Sequence, residues 1–392
     1  MSYNVDFETG THPDVEKDLQ SISERNHDDF QYSHPFKQKL LSWGVEARGI
    51  LPVPPELRTD TQYNQIFFIW LSANFNILSF SAGTLGPVVF GLGLRDTCLV
   101  ILFFNLVCSA LPAYLTTWGP KLGLRQMCQS RYSFGFFGVI IPSIFNLASM
   151  CGFCILNCIL GGQTLSSVSG GGLSWTVGIV IISVISLLVS FCGYKVLTWY
   201  ERLAWIPVLV VYVVALGIGG KHLLNPPPAE PASAIAILSF ASTIAGFVIT
   251  YSPLASDFTI YFPPEVDSII PLSIVGSTKF YDTLTNFLGL IGYWASAYGA
   301  VILMEHLVIR RGRFDAYDLR YWNSPRKLPT GLAALGACAI ACALIVPSMD
   351  QVWFLGPIAE KTGDIGFEMA FTVTAIAYVP LRYFELRFRE LV

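Results

Sequence analysis

The stretch SIFNLASMCGFCILNCILGGQTL, residues 143–165, holds side chains suited to gripping a flat polar molecule. Phe153 and Asn157 fall one helical turn apart on one face, and Asn146 and Gln163 flank them. An amide offers a donor and an acceptor side by side, the pattern that pairs bidentately with a nucleobase edge, while an aromatic ring stacks on the base plane. An Asn at such a place also serves as a hydrogen-bond link between membrane helices. Spacing alone leaves the two readings level.

Two further stretches are polar where a lipid-facing helix would be apolar. QIFFIWLSANFNILSFSAGTLGPVVFGLGL carries Asn74, Asn76, Ser79, Ser81, Gly83, Thr84, Gly86 and Pro87 in its middle, and SFASTIAGFVITYSPLASDFTIYFPP carries Gly246, Thr250, Ser252, Pro253, Ser256 and Asp257. Pro253 lacks an amide hydrogen and clashes with the preceding turn, so the helix kinks or breaks there. A matched pair of interrupted spans, five apart, is the mark of inverted-repeat transporters, in which freed backbone groups bind substrate and ion at the midplane. Prolines and glycines also merely kink membrane helices; two such spans at this separation favour the transporter. Asp257, just past the second interruption, is a candidate proton or ion site or else an N-cap or interface residue of a second half-helix. Glu201 beside Arg202 reads as an interfacial ion pair.

Other chemistry is scarce. His306 falls at a span end and His222 in a loop, and no HExxH, GxSxG or P-loop occurs, which argues against an enzyme. The nine cysteines lie mainly in or beside apolar runs, Cys151, Cys154 and Cys158 along one helical stripe, and read as packing residues rather than disulfides or metal ligands. No cofactor is expected.

The elements that must position these residues are membrane helices. Of 392 residues 53% are hydrophobic and 13% charged, and apolar runs of about 20 residues recur without the alternation of a barrel strand. The net charge of -3 offers no basic face for nucleic acid. Spans are expected at about 66–90, 97–117, 136–160, 175–192, 203–219 and 232–256, then at about 284–304, 329–347 and 367–383. Lys121, Arg125 and Arg131 follow the second span, and Lys195 and Arg202 the fourth, so the even-numbered exits and the N-terminus are cytoplasmic. The loop after the span at 284–304 would then be external, yet it holds Arg310, Arg311, Arg313, Arg320, Arg326 and Lys327 against Asp315 and Asp318. An odd number of crossings is missing before it. The apolar scrap Ser268–Ser277 cannot be one of them, since ten helical residues reach only about 15 Å.

Several ordered motifs carry a resemblance: GVEARGILPVPPELRTDTQYN, NILSFSAGTLGP, RYSFGFFGVIIPSIFNLASMCGFCILNCILGGQTL, YERLAWIP, YSPLASDFTIYFP, NFLGLIGYWASAYGAVILMEH and GDIGFEMAFTVTAIAYVPLRY. From about residue 44 onward the chain resembles fungal purine-cytosine permeases of the nucleobase-cation symporter family. The resemblance implies an all-α polytopic membrane protein with a LeuT-like arrangement of two inverted five-span repeats. It implies proton-coupled uptake of cytosine, adenine, guanine or hypoxanthine at the plasma membrane. Family contacts carry over to Ser79 or Ser81, Phe153, Asn157 and Tyr251. Relatives often have tryptophan at the two aromatic positions, so Phe153 and Tyr251 keep a stacking face with altered reach.

Relatives also carry a seventh span, an eighth with an Asn-Asn-x-Pro type element, and most of a ninth between FTIYFPPEV and IVGSTKFYDTL. The second repeat here is therefore incomplete, by on the order of 80 to 110 residues at 20 to 25 per span. Three lost crossings is an odd number, as the basic loop requires. The expected organisation is a flexible cytoplasmic tail over 1–60, six spans over 61–262, a junction at 263–283, three spans over 284–383 and a tail over 384–392. The chain as it stands is expected to reach the surface poorly, to be held in the endoplasmic reticulum and not to transport. Alternatively it is a non-transporting regulatory isoform. Its partners would be the nucleobase, a proton and lipid, with a homo-oligomer also compatible. The segment at 284–304 is expected not to cross, which would keep the basic loop inside.

Overall fold

The computed structural model describes residues 49–62, 64–190, 193–223, 231–264, 281–351 and 353–390, and is built almost wholly from helices. The first apolar stretch forms α1 (Asn64–Asn74) and α2 (Ile77–Val88), bent by 51°. Next come α3 (Leu94–Thr116), α4 (Ile140–Val168), α5 (Trp175–Ser190), α6 (Gly193–Leu223) and α7 (Ala234–Ile249). Beyond the junction are α8 (Tyr281–Met304), α9 (Leu332–Ser348), a hairpin of β1 (Asp350–Gln351) with β2 (Phe354–Leu355), and α10 (Gly366–Glu390).

The bend between α1 and α2 is local chemistry. Asn76 is extended, and its Oδ1 accepts from the Ser79 amide at 2.9 Å as the N-cap of α2. Backbone groups freed inside an apolar layer cost several kcal/mol each unless met. The Tyr212 hydroxyl of α6 donates to the Asn76 carbonyl at 2.9 Å, while its ring stacks on Phe80 and meets Phe75 edge-on.

The sixth stretch differs from expectation. Its helix stops at Ile249 and continues as a 3-10 segment, Ser252–Phe258, not as a second α-half-helix. The Thr250 hydroxyl donates to the Gly246 carbonyl at 2.9 Å, and Pro253 has no amide to extend the ladder.

Helix α8 runs parallel to α7. Gly246 abuts Leu288 and Gly292, so closely that a Cβ at 246 would lie 2.3 Å from the Leu288 carbonyl oxygen, and further along Ala255 shares a core cluster with Tyr298 and Val301. The loop after α8 joins the short helices Trp118–Leu122, Gln126–Gln129 and Arg131–Phe134: Arg131 donates to Asn323 at 2.7 Å, and the Tyr132 hydroxyl to the Asp318 carbonyl at 2.8 Å. Basic residues thus gather at one end, and the β-hairpin and Asp364 lie at the other. Helix α8 is continuous and, over Phe287–Ile309, long and apolar enough to span, which speaks against the expectation that 284–304 does not cross. The expected junction over residues 265–280, the scrap Ser268–Ser277 included, lies outside the described residues. The basic loop lies at the same end as Arg131.

Part of the stretch expected as a tail, 1–60, is packed. Val53 and Arg58 are buried, and the Arg58 guanidinium donates to the carbonyls of Val53 at 2.8 Å and Pro120 at 2.7 Å. Among the described residues five helices are long and apolar enough to cross a membrane, six if α1–α2 counts as one span; α5 and α9 are shorter apolar helices.

Candidate functional site

The break in the sixth stretch brings Tyr251 against α4 and α1. Its ring is parallel to Phe153 within 8°, at a centroid distance of 6.4 Å, and meets Trp70 edge-on at 5.1 Å. Phe247 and Phe287 stand edge-on to Phe153 at 5.9 and 5.4 Å. Two van der Waals contacts through an inserted plane need about 7 Å, so the Phe153–Tyr251 separation is just short of a sandwich for a flat ring.

Ser79 is wholly buried on α2, which packs against α4, α7 and α8, and its hydroxyl has no partner among the described residues. The same holds for Ser252 Oγ, next in sequence to Tyr251, and for Trp70 Nε1. These are hydrogen-bonding groups without a partner among the described residues, on elements that pack at the ring pair or continue from it, and buried polar groups ordinarily find partners. Ser81 is also buried, but its hydroxyl donates to the Ile77 carbonyl at 2.9 Å.

Asn157 stands apart. Its side chain is exposed, and its Nδ2 donates to the Phe153 carbonyl of its own helix at 2.8 Å. Asp257 is engaged as well: Oδ1 accepts from the Gln126 amide at 2.6 Å, tying the 3-10 segment to the short helix Gln126–Gln129 instead of capping a half-helix of its own. Gln129 reinforces that tie through Ser256 Oγ at 3.1 Å. Sequence reasoning named neither Trp70 nor Ser252 as a candidate site residue. Trp70 lies one turn before Asn74 in a span with a polar centre, a position that could have drawn notice.

A second polar cluster closes the basic end. Glu305, wholly buried in a π-helical turn, accepts from Arg382 at 3.0 Å, Arg310 at 3.0 Å and the Tyr378 hydroxyl at 2.7 Å. On the loop beyond, the Arg320 guanidinium holds the Asp318 carboxyl below its ordinary range, and Arg313 does so for Asp315. The described cysteines are all free.

This architecture is that of a broken-helix, inverted-repeat membrane transporter. A solved structure of Mhp1, a nucleobase-cation-symport-1 family transporter in a closed conformation with bromovinylhydantoin bound, superposes with a TM-score of 0.57 at 15% identity, over 88% of this chain and 96% of that one. The chain belongs to the family of permeases for cytosine/purines, uracil, thiamine and allantoin, whose profile matches residues 52–275. It is 28% identical to purine-cytosine permease fcyB of Emericella nidulans over 88% of this chain and 89% of that one. It is 26% identical to purine-cytosine permease FCY21 of Saccharomyces cerevisiae, over 88% and 87% respectively. The alignment with fcyB extends over 457 positions while using 88% of 392 residues, about 345, so about 110 positions face no residue here.

Proposed function

We propose that this protein is a nucleobase permease, coupled to protons and acting at the plasma membrane, whose substrates are cytosine, adenine, guanine and hypoxanthine. The parallel pair Phe153 and Tyr251 carries the reading. A base enters between the rings, and the unspent Ser79 and Ser252 hydroxyls and the Trp70 indole supply hydrogen bonds to its edge. Asn157 approaches the base when its side chain turns from its own helix. Access alternates by rocking of the repeats about this site, and Asp257, at the end of the 3-10 segment, is a candidate for ion coupling.

A second reading is favoured by the exposed Asn157 and by the roughly 110 unmatched positions. In it the chain is a non-transporting isoform that associates with an intact permease. Uptake of radiolabelled cytosine in a strain lacking its own permease separates the two. Saturable uptake supports the permease; no uptake, with altered uptake by a co-expressed intact permease, supports the isoform. Neither uptake nor an effect on the partner overturns both.

A further inference from the structure

The buried acids of this protein keep different company. Glu305 has two arginines. At the opposite end, buried Asp364, just before α10, and half-buried Glu368, in its first turn, form no ion pair among the described residues. Asp364 is buried with both oxygens engaged, Oδ2 by the Tyr293 hydroxyl and Oδ1 by the Gly366 amide at 2.9 Å. The Tyr293 hydroxyl accepts from Gln351 Nε2 at 2.9 Å, and the Asp364 amide donates to Ser239 Oγ at 2.9 Å, so α7, α8, β1 and α10 meet here. Two buried atoms are left over: Oε1 of Gln351, a side chain 5% exposed, and Oε2 of Glu368.

The described cation nearest in sequence is Lys361, on the short helix Ala359–Thr362 with Glu360; both are exposed, and neither is in an ion pair with Asp364 or Glu368 among the described residues. Helix α7 has no ionisable side chain, α9 offers only Cys338 and Cys342, α8 presents Tyr293, α3 presents Cys108 beside Glu368, and the hairpin adds Asp350. Arg95 and Asp96 lie 13 and 12 residues before Cys108 on α3, roughly 20 Å along the helix. Two neighbouring acids without a cation do not both ionise at membrane depth. Calcium and magnesium take six or more ligands, mainly oxygens, and no group of three His, Cys, Asp or Glu that could hold a metal occurs among the described residues. A proton satisfies the site, and Oε2 of Glu368 is the acid oxygen without a donor.

We propose that Glu368 is a proton-binding site, its carboxyl neutral at neutral pH, beside an ionised Asp364 held by Tyr293. The carboxylate takes its proton from water at the hairpin end and returns it there or to the passage within the helices. Its use as the coupling proton rests on the permease reading; the protonation itself does not.

Infrared difference spectroscopy of the purified, reconstituted 392-residue protein tests this without transport. The expected result is a protonated-carboxyl carbonyl band at neutral pH that shifts in heavy water and is lost in Glu368→Gln, which preserves shape. Should that variant not fold, Glu368→Asp serves, since it shifts the band if Glu368 is its source. No protonated-carboxyl band at neutral pH, or a band that neither variant moves, overturns the proposal, whatever the outcome of cytosine uptake.

Discussion

The rings of Phe153 on α4 and Tyr251 at the end of α7 face each other in parallel, within 8° and 6.4 Å between centroids. Base–aromatic stacking is worth about 1 to 3 kcal/mol per base by alanine substitution. Phe153→Ala and Tyr251→Ala should therefore each weaken cytosine binding by roughly 5- to 150-fold, while Tyr251→Phe keeps most of it. Equilibrium binding to the purified variants decides, and unchanged affinity in either alanine variant removes that ring from the site.

Asn157 faces outward in this chain, its amide bonded to its own helix. In a version carrying the roughly 110 unmatched positions of its relatives, Asn157→Ala should reduce cytosine uptake by about 5- to 150-fold, the worth of one bidentate base contact, with membrane delivery intact. Unaltered uptake kinetics would return Asn157 to the role of a helix link.

Topology gives a third expectation. Helix α8 lies parallel to α7, and Arg131 reaches Asn323 in the loop beyond it. With the native cysteines replaced, a single cysteine at Thr283, in the first turn of α8, should react with an impermeant thiol reagent from outside intact cells. One at Ser324 should react only after the cytoplasmic face is opened. Reaction of both from the cytoplasm alone would mean that α8 does not cross.

These residues also mark what sequence could and could not convey. The interruption near Asn76 was legible because polar residues stand in the middle of an apolar stretch, and the kinship of the basic loop with the Arg131 end was legible through charge alone. The 3-10 ending of the sixth stretch was not, since Pro253 specifies a break but not the kind of helix beyond it. Nor was the Glu305–Arg382 pair: the partners are 77 residues apart in sequence, and each reads locally as a span-end charge. Trp70 and Gln351 gain meaning only from neighbours supplied by other helices.

That ion pair sets the fourth prediction. Leaving a buried charge wholly uncompensated costs about 3 to 5 kcal/mol, and because Arg310 still faces Glu305 the loss of Arg382 should cost less than that. Arg382→Met should lower the thermal midpoint of the purified protein, and adding Glu305→Gln should recover part of the loss. Equal midpoints for wild type and Arg382→Met would show that Arg310 and Tyr378 alone hold Glu305.

Binding of radiolabelled cytosine to the purified 392-residue protein tests the nucleobase site most directly. The expected result is saturable binding, displaced by excess unlabelled cytosine, adenine or hypoxanthine and weakened in Phe153→Ala. Absence of saturable binding, both in this chain and in the version with the unmatched positions restored, would contradict the site.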